Sequence, residues 1–463
     1  MSTEHADLIH GGVANDDAAR TWTLNVDERA RAQLLLGVVA LGGLGVGWMW
    51  FADTAPIRSA GEWLVAVGRL TGLEGTYLML VAIVLLSRVR WIDRVVGMDK
   101  LFRWHGRLGF VTTWLLVAHA IAIVWGYSAS FGTPLLHETR SVVLDLPDML
   151  AATVGLALLV AIGLASAKRL RRHLRYETWH FIHLYVYVAV ALSFAHQFST
   201  GFDFATHPLN RMIWIAMYAF TFGLLLWYRV GAPLYRSITH DLRVAALVPE
   251  ADGFVSMYVT GNDLLALHAV PGQFFIWRIL SRNHWWQAHP FSISMAPTAS
   301  SLRVTVGEAG DFTRSLPHVG PGTRVIAEGP FGSFTWGTHH GSRVLLIAAG
   351  SGIGPIRGIL EKITPEFAPI LIYRASEPTR AALVEEIDQM MRVREGKVRY
   401  IFGPRARHGE LTDPAWLQAI IEGDPAAFDV YLCGPQEFAR EIQGALARAG
   451  FARSRVHYER FAT

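Results

Sequence analysis

The sequence predicts a membrane protein of three parts: an all-α bundle of six transmembrane helices, an antiparallel β-barrel domain, and a doubly wound α/β domain. Three observations predict it. Long uncharged apolar runs fill the chain up to about residue 232. Short alternating strands with Pro-Gly turns occupy 238–335, and from 343 strands alternate with helices.

The six apolar runs cover roughly 33–51, 63–87, 104–126, 148–167, 177–197 and 211–231, each close to the ~20 residues a bilayer crossing needs. The first 32 residues are polar, with no apolar stretch leading to a cleavage site, and are read as a cytoplasmic tail without a secretory signal. Basic residues sort by loop. Arg29 and Arg31 precede the first run; Arg88, Arg90, Arg94, Lys100 and Arg103 fill the second link; Lys168, Arg169, Arg171, Arg172 and Arg175 fill the fourth. The other links hold little beyond Arg58 and Arg140. The positive-inside rule then puts the N-terminus in the cytoplasm, and six crossings return the chain there near residue 232. The expected setting is a bacterial inner membrane with both soluble domains cytoplasmic. The net charge of +4 is small and its arginines flank apolar runs, so the basic balance reads as topology and not as a nucleic-acid footprint. The one cysteine, Cys433, excludes an intrachain disulfide and any Cys-rich metal centre.

Four histidines lie inside spans, where ionisable groups mark function. His105 and His119 in the third run are 14 residues apart, an advance of ~21 Å that returns to nearly the same helix face. His183 and His196 in the fifth run are 13 apart and match those levels, and both runs cross in the same direction. The pairs His105/His183 and His119/His196 are therefore expected to ligate two haems b stacked along the membrane normal, with no open iron position, as electron transfer requires. Thirteen residues fall ~140° short of four turns, so the fifth run needs a tilt, a kink, or differently oriented haems. Arg69, toward the outer end of the second run, is a candidate partner for an outer haem propionate or an anionic acceptor, against a snorkelling alternative. Trp114 lies between the ligand levels and is read as a packing or lipid-facing residue ahead of a bridge.

In the soluble half, strands are expected at 242–247, 255–259, 274–278, 302–306 and 324–327, then at 344–347, 370–373, 398–402 and 429–432. Helices follow to about Lys362, then near 380–392, 414–421 and 436–449. Between the first strand and helix of this second series lies Gly350-Ser-Gly352-Ile-Gly354-Pro355, a turn whose N–H groups can hold a pyrophosphate. Arg374 stands where an acid would bind a ribose hydroxyl; with Ser376 it leans toward the 2′-phosphate of NADPH over NADH, although Glu377 blurs the choice. The expected divisions are 1–32 tail, 33–232 haem domain, 238–340 FAD domain and 341–463 NAD(P)H domain.

With these residues in view the chain resembles the NADPH oxidase and ferric reductase superfamily over nearly everything after the tail. The His spacings of 14 and 13 match the oxidase pattern. His289-Pro290-Phe291-Ser292 looks like that family's flavin motif, and Gly310-Asp311-Phe312-Thr313 is similar to its second flavin-pyrophosphate segment. Cys433-Gly434-Pro435 is similar to its Cys-Gly-Pro beside the nicotinamide, and Phe461 to its flavin-covering aromatic. The resemblance implies hydride transfer from NAD(P)H to FAD with Cys433, Ser292 and Phe461 at the site, then single electrons through the inner and outer haems. It implies an extracytoplasmic acceptor of the ferric-chelate type. The alternatives are a superoxide-producing oxidase, or an electron donor to a quinone or periplasmic protein. One departure stands out: where the oxidases carry a further His one turn beyond the outer ligand, this chain has Ile123.

Overall fold

The computed structural model describes residues 28–174, 176–403 and 409–460. The chain divides into two compact units with the boundary at Arg229/Val230.

The first unit is helical. Its long helices are α1 (Glu28–Ala52), α2 (Ala60–Leu85), α3 (Met98–Phe131) and α4 (Met149–Ser166). The fifth span is broken into α5 (Tyr176–Leu184), α6 (Val186–Leu192) and α7 (His196–Ser199), followed by the short α8 (Phe202–Ala205) and by α9 (Pro208–Leu226). Among the described residues, six segments are long and apolar enough to cross a membrane: Gln33–Ala52, Ala60–Leu85, Lys100–Phe131, Met149–Ser166, Thr178–Ser199 and Pro208–Thr239. They coincide with the six apolar runs, and the protein is an integral membrane protein. Large apolar side chains such as Leu41, Phe110, Trp114 and Phe220 point outward, as a lipid-facing surface requires. Trp114 is thus on the rim and not between the histidine pairs.

The breaks in the fifth span account for its 13-residue histidine spacing. The N–H groups of Tyr185, Phe194 and Phe198 bond three residues back, to Ile182, Ala191 and Ala195. Such bonds wind the chain by more than the 100° per residue of an α-helix. That is the direction that reduces the angular shortfall between His183 and His196.

The second unit begins with α10 (Ala232–Thr239) and holds two three-stranded antiparallel sheets, ordered β1-β2-β5 and β4-β3-β6. The strands are β1 (Arg243–Ala251), β2 (Phe254–Thr260), β3 (Phe274–Ile279), β4 (His289–Ser292), β5 (Ser301–Gly307) and β6 (Val325–Phe331). Their inner residues, among them Met257, Phe275, Trp277, Leu302 and Val325, form one core, on which the short helix α11 (Asp311–Ser315) packs Phe312.

A five-stranded parallel sheet follows, ordered β11-β10-β7-β8-β9. It is built from β7 (Arg343–Ala349), β8 (Ile370–Ala375), β9 (Lys397–Phe402), β10 (Phe428–Gly434) and β11 (Val456–Arg460). Helices α12 (Ile353–Leu360), α13 (Val384–Val393), α14 (Pro414–Ile421) and α15 (Gln436–Arg448) connect them. Leu346 and Ala348 of β7 enter the core that holds Ile353 and Ile356, while Leu345 and Ile347 enter the one that holds Leu417 and Ile442. A strand covered on both faces has to be apolar throughout, and each of its leucine and isoleucine side chains contributes about 1.5–3 kcal/mol on burial. Strand order reverses between β7 and β10, so the carboxyl ends of these two strands flank the crevice where open α/β sheets bind ligands.

Candidate functional site

In the membrane unit the four span histidines form two pairs. The rings of His105 and His183 face each other with centroids 5.9 Å apart and planes at 71°. That separation is close to the one two imidazoles take across a shared metal at ~2.1 Å from each nitrogen. His119 lies within electrostatic reach of His196. Both α3 histidines are oriented by backbone carbonyls of α2. His105 Nδ1 donates to Ala82 O at 3.0 Å and His119 Nδ1 donates to Gly68 O at 2.7 Å. A carbonyl only accepts, so the proton sits on Nδ1 and the Nε2 lone pair stays available for a metal. Gly72 makes room for this arrangement, since a Cβ there would lie 2.6 Å from His119 Nδ1.

The buried polar atoms without a hydrogen-bond partner among the described residues include His196 Nδ1 and Thr112 Oγ1. Thr112 is seven residues from each α3 histidine and therefore shares their face. Orphaned polar atoms beside histidines held with Nε2 free fit ligation by a polar-edged prosthetic group better than a closed apolar core. Among the described residues no group of three or more His, Cys, Asp or Glu side chains could hold a bare metal ion.

The His105/His183 pair has a supporting stack that the sequence did not reveal. Trp179 stacks on His183 at 5.3 Å, Arg171 lies 4.2 Å over Trp179, and Trp179 Nε1 donates to Ser166 Oγ at 3.2 Å. At the other pair, Arg69 is already engaged. Its Nε donates to Asp203 Oδ2 at 3.0 Å, its Nη2 reaches Oδ1, and its guanidinium lies 5.0 Å from the Phe202 ring. Arg69 is thus neither a snorkelling side chain nor an unpaired anion receptor, and Asp203 was missed because a lone Asp in a loop reads as solvated.

In the second unit, the two segments read as flavin motifs are brought together. His289 stacks on Phe312 at 3.9 Å, Ser292 is buried opposite Phe274, and Thr313 Oγ1 accepts from the N–H groups of Ala309 and Gly310 at 2.8 and 3.0 Å. Pro290 pairs with Ile276, Phe291 stacks near Phe312, and Asp311 stays exposed. At the end of β7, Gly350 takes φ +55° and the turn runs into α12 through Gly354 and Pro355. Gly352 abuts the other side of the crevice: a Cβ there would lie 2.2 Å from the Cys433 carbonyl oxygen, so no other residue fits. The sheet therefore brings the glycine turn and Cys433-Gly434-Pro435 into contact through backbone. The Cys433 thiol itself is fully buried, and burial pushes its pKa well up.

Arg374, at the end of β8, donates through Nη2 to Gly403 O at 3.2 Å, with Ser376 and Glu377 exposed just beyond. Phe461 lies outside the described residues.

A buried ion-pair network joins the flavin-motif sheet to the glycine turn's helix, and sequence reasoning did not find it. Arg303 of β5 bonds Ser294 Oγ (3.1 Å), Ser294 O (3.1 Å) and Glu386 Oε2 (3.0 Å). Arg357 of α12 bonds the same Ser294 O (3.1 Å), Glu361 (2.8 Å) and Glu386. Burial acts to raise the Glu386 carboxyl, yet Arg357 and Arg303 beside it hold it below the usual carboxylate range. The only legible trace was the Arg357/Glu361 spacing of four on one helix.

Comparison with known proteins agrees with this division of labour. Residues 71–194 match a ferric reductase like transmembrane component, 242–335 an FAD-binding domain, and 346–444 an oxidoreductase NAD-binding domain. The chain is 26% identical over 248 residues to the stachydrine N-demethylase reductase subunit of Rhizobium meliloti, covering 49% of this chain and 67% of that protein. It is 28% identical over 246 residues to the ferredoxin reductase component of a 3-ketosteroid-9-alpha-monooxygenase from Mycobacterium tuberculosis, covering 48% and 65%. It is 28% identical over 175 residues to NADPH oxidase 1 of Mus musculus, covering 35% and 27%. The matched region thus spans about two thirds of the first two relatives and about a quarter of the third.

Proposed function

Because the chain is an NAD(P)H/FAD oxidoreductase of the ferric reductase family, with a ferric-reductase-like transmembrane component ahead of its FAD- and NAD-binding domains, we propose that it moves electrons from cytoplasmic NAD(P)H to an extracytoplasmic acceptor through two haems b. The observation that carries the membrane step is the pair of Nδ1–H bonds from His105 and His119 to α2 carbonyls, each leaving Nε2 free. His105 with His183, and His119 with His196, would hold the two irons.

Flavin, when bound, takes a hydride as two electrons and releases them singly, and a bis-histidine haem carries one at a time. The protein's part is positioning. His289–Ser292 and Gly310–Thr313 form the flavin cradle, stacked through His289 and Phe312. The Gly350–Pro355 turn holds the nucleotide pyrophosphate at the α12 N-terminus. The Cys433-Gly434-Pro435 backbone would form the opposite wall for the nicotinamide; the flavin-covering role of Phe461 rests on the sequence resemblance alone. Arg374 and Ser376 face the 2′-phosphate, favouring NADPH. The soluble domains are assigned to 238–340 and 341–463 and, with the basic links, to the cytoplasm.

Purified protein is expected to contain two haems per chain with a low-spin bis-histidine spectrum, reduced by NADPH only when flavin is present. Protein that lacks haem yet oxidises NADPH with ferricyanide at full rate would sink the two-haem part.

A further inference from the structure

The electron route proposed above ends at the His119/His196 pair, and a partly buried cation, Arg69, stands next to it in the bundle. It follows Gly68, whose carbonyl takes the His119 proton, and its partner Asp203 lies seven residues beyond His196. We propose that Asp203 cancels this charge, so that the outer end of the bundle serves an uncharged oxidant, a quinone or dioxygen, and not an anionic ferric chelate. The inference rests on that route.

The Arg69–Asp203 contact is a two-point fork, the strongest form of arginine–carboxylate pairing. The side chains are 16% and 5% exposed. Solvent screens such a pair poorly, and an incoming anion could take the guanidinium only by leaving the Asp203 carboxylate buried and uncompensated. Phe202, on the same short helix as Asp203, packs against the guanidinium and closes a further approach. Two more carboxylates at this end are occupied as well: Asp53 accepts from Asn210 at 2.6 Å and lies 3.3 Å from His207, and the buried Glu138 accepts from Thr133 Oγ1 at 2.7 Å. The remaining cations, Arg58, Arg140 and Arg211, are exposed to solvent, where salt screens them, and Arg211 lies 5.5 Å over the Phe198 ring.

Ile123 packs on Gly68 one turn beyond His119. Phe198, Phe204 and Trp214 form a ring cluster with centroids 4.9–5.7 Å apart, in which Phe204 and Trp214 are buried and Trp214 Nε1 donates to Gln197 Oε1 at 2.6 Å. Among the described residues, no uncompensated buried cation is thus left at this end to draw an anionic chelate. For each NAD(P)H oxidised to NAD(P)⁺ and a proton, two electrons leave. One quinone takes both, with two protons from the outer water, and becomes the hydroquinone. Alternatively, two dioxygen molecules take one electron each and leave as superoxide.

The test uses the flavin- and haem-loaded protein, reduced anaerobically with NADPH and mixed with ferric citrate, hexaammineruthenium(III), a short-chain quinone or dissolved oxygen. In the wild type, the quinone or oxygen should reoxidise the haems faster than ferric citrate at equal concentration, and which of the two is faster identifies the oxidant. Asp203→Asn should speed ferric citrate about tenfold, the effect of one elementary charge ~10 Å away at an effective dielectric of ~20. It should slow the ruthenium cation and leave the neutral oxidants within about twofold. Binding supplies a readout independent of turnover: redox-inert gallium(III) citrate should show no saturable heat with wild type and should bind Asp203→Asn. Should that variant lose its haems, the neutral double variant Arg69→Gln/Asp203→Asn tests the same point by retaining the wild-type preference. Ferric citrate as the fastest wild-type oxidant, gallium citrate binding to wild type, or equal acceleration of every oxidant by Asp203→Asn overturns the proposal. Haems that NADPH fails to reduce before any oxidant is added would instead overturn the route beneath it.

Discussion

Cys433 shows how a residue can stand in the right place for a reason other than its side chain. Its carbonyl is what Gly352 packs against, while its thiol faces the core of the parallel sheet with no exposure. Burial raises the thiol pKa, so it stays protonated and unreactive through neutral pH. Folded protein should therefore resist iodoacetamide at pH 8 and label only in denaturant; stoichiometric labelling of the native chain would show the thiol to be accessible after all. Arg374 makes the opposite case, since its value lies in its guanidinium. Arg374→Ala should raise the KM for NADPH about tenfold, the scale of one charge-assisted contact, and leave NADH unchanged. Asp429 adds a pH dependence. Burial acts to raise its carboxyl, but the Gly341 and His340 N–H groups and His457 outweigh it and the pKa falls below normal. A depressed carboxyl stabilises the fold above its unfolded value of ~3.9, and this is lost as pH falls through the lower folded value. Asp429→Asn should flatten that acid limb, read as the pH at which bound flavin is released.

At the scale of elements, the legible parts were those whose signal is local. Span length, the swap from period-two strands to strand–helix alternation, and the glycine turn after β7 can all be read from neighbouring residues. The unseen parts depend on residues far apart in the chain. Strand β4 is four residues long with a proline, and β11 alternates charge with aromatics, so neither carries a strand signature of its own. The network through Arg303, Arg357 and Glu386 spans 83 positions, and no window contains it. Its position makes a specific prediction. Ser294 follows the flavin-motif strand by two residues, and Arg357 lies on the helix that the glycine turn begins, so the network sets the spacing between the two. Glu386→Gln should slow flavin reduction by saturating NADPH about tenfold and weaken the NADPH–flavin charge-transfer band, while dithionite reduces the haems normally. Removing one partner of a buried pair costs about 3–5 kcal/mol, so Glu386→Asp, which keeps the charge, should restore most of the rate. Equal losses in all three measurements would mean simple unfolding. The broken fifth span was legible only as a contradiction: a 13-residue spacing that a regular helix could not serve.

For the whole molecule, the direction of electron flow follows from where charge lies along the chain. The links at 88–103 and 168–175 hold ten of the basic residues between spans, while the alternate links are nearly free of them. An even number of crossings puts the segment after α9 on the same side as those links. If the links are cytoplasmic, the nucleotide-binding domains take NAD(P)H from the cytoplasm and the Arg69/Asp203 end faces out. NADPH does not cross a bilayer, so vesicle orientation separates the possibilities. Added NADPH should reduce the haems in inverted membrane vesicles, and right-side-out vesicles should respond only after permeabilisation. A membrane-impermeant oxidant trapped inside the inverted vesicles should then reoxidise them, whereas the same oxidant added outside should act only on the flavin. Haem reduction by NADPH added to intact right-side-out vesicles would reverse the topology, and with it the side on which the uncharged oxidant is consumed.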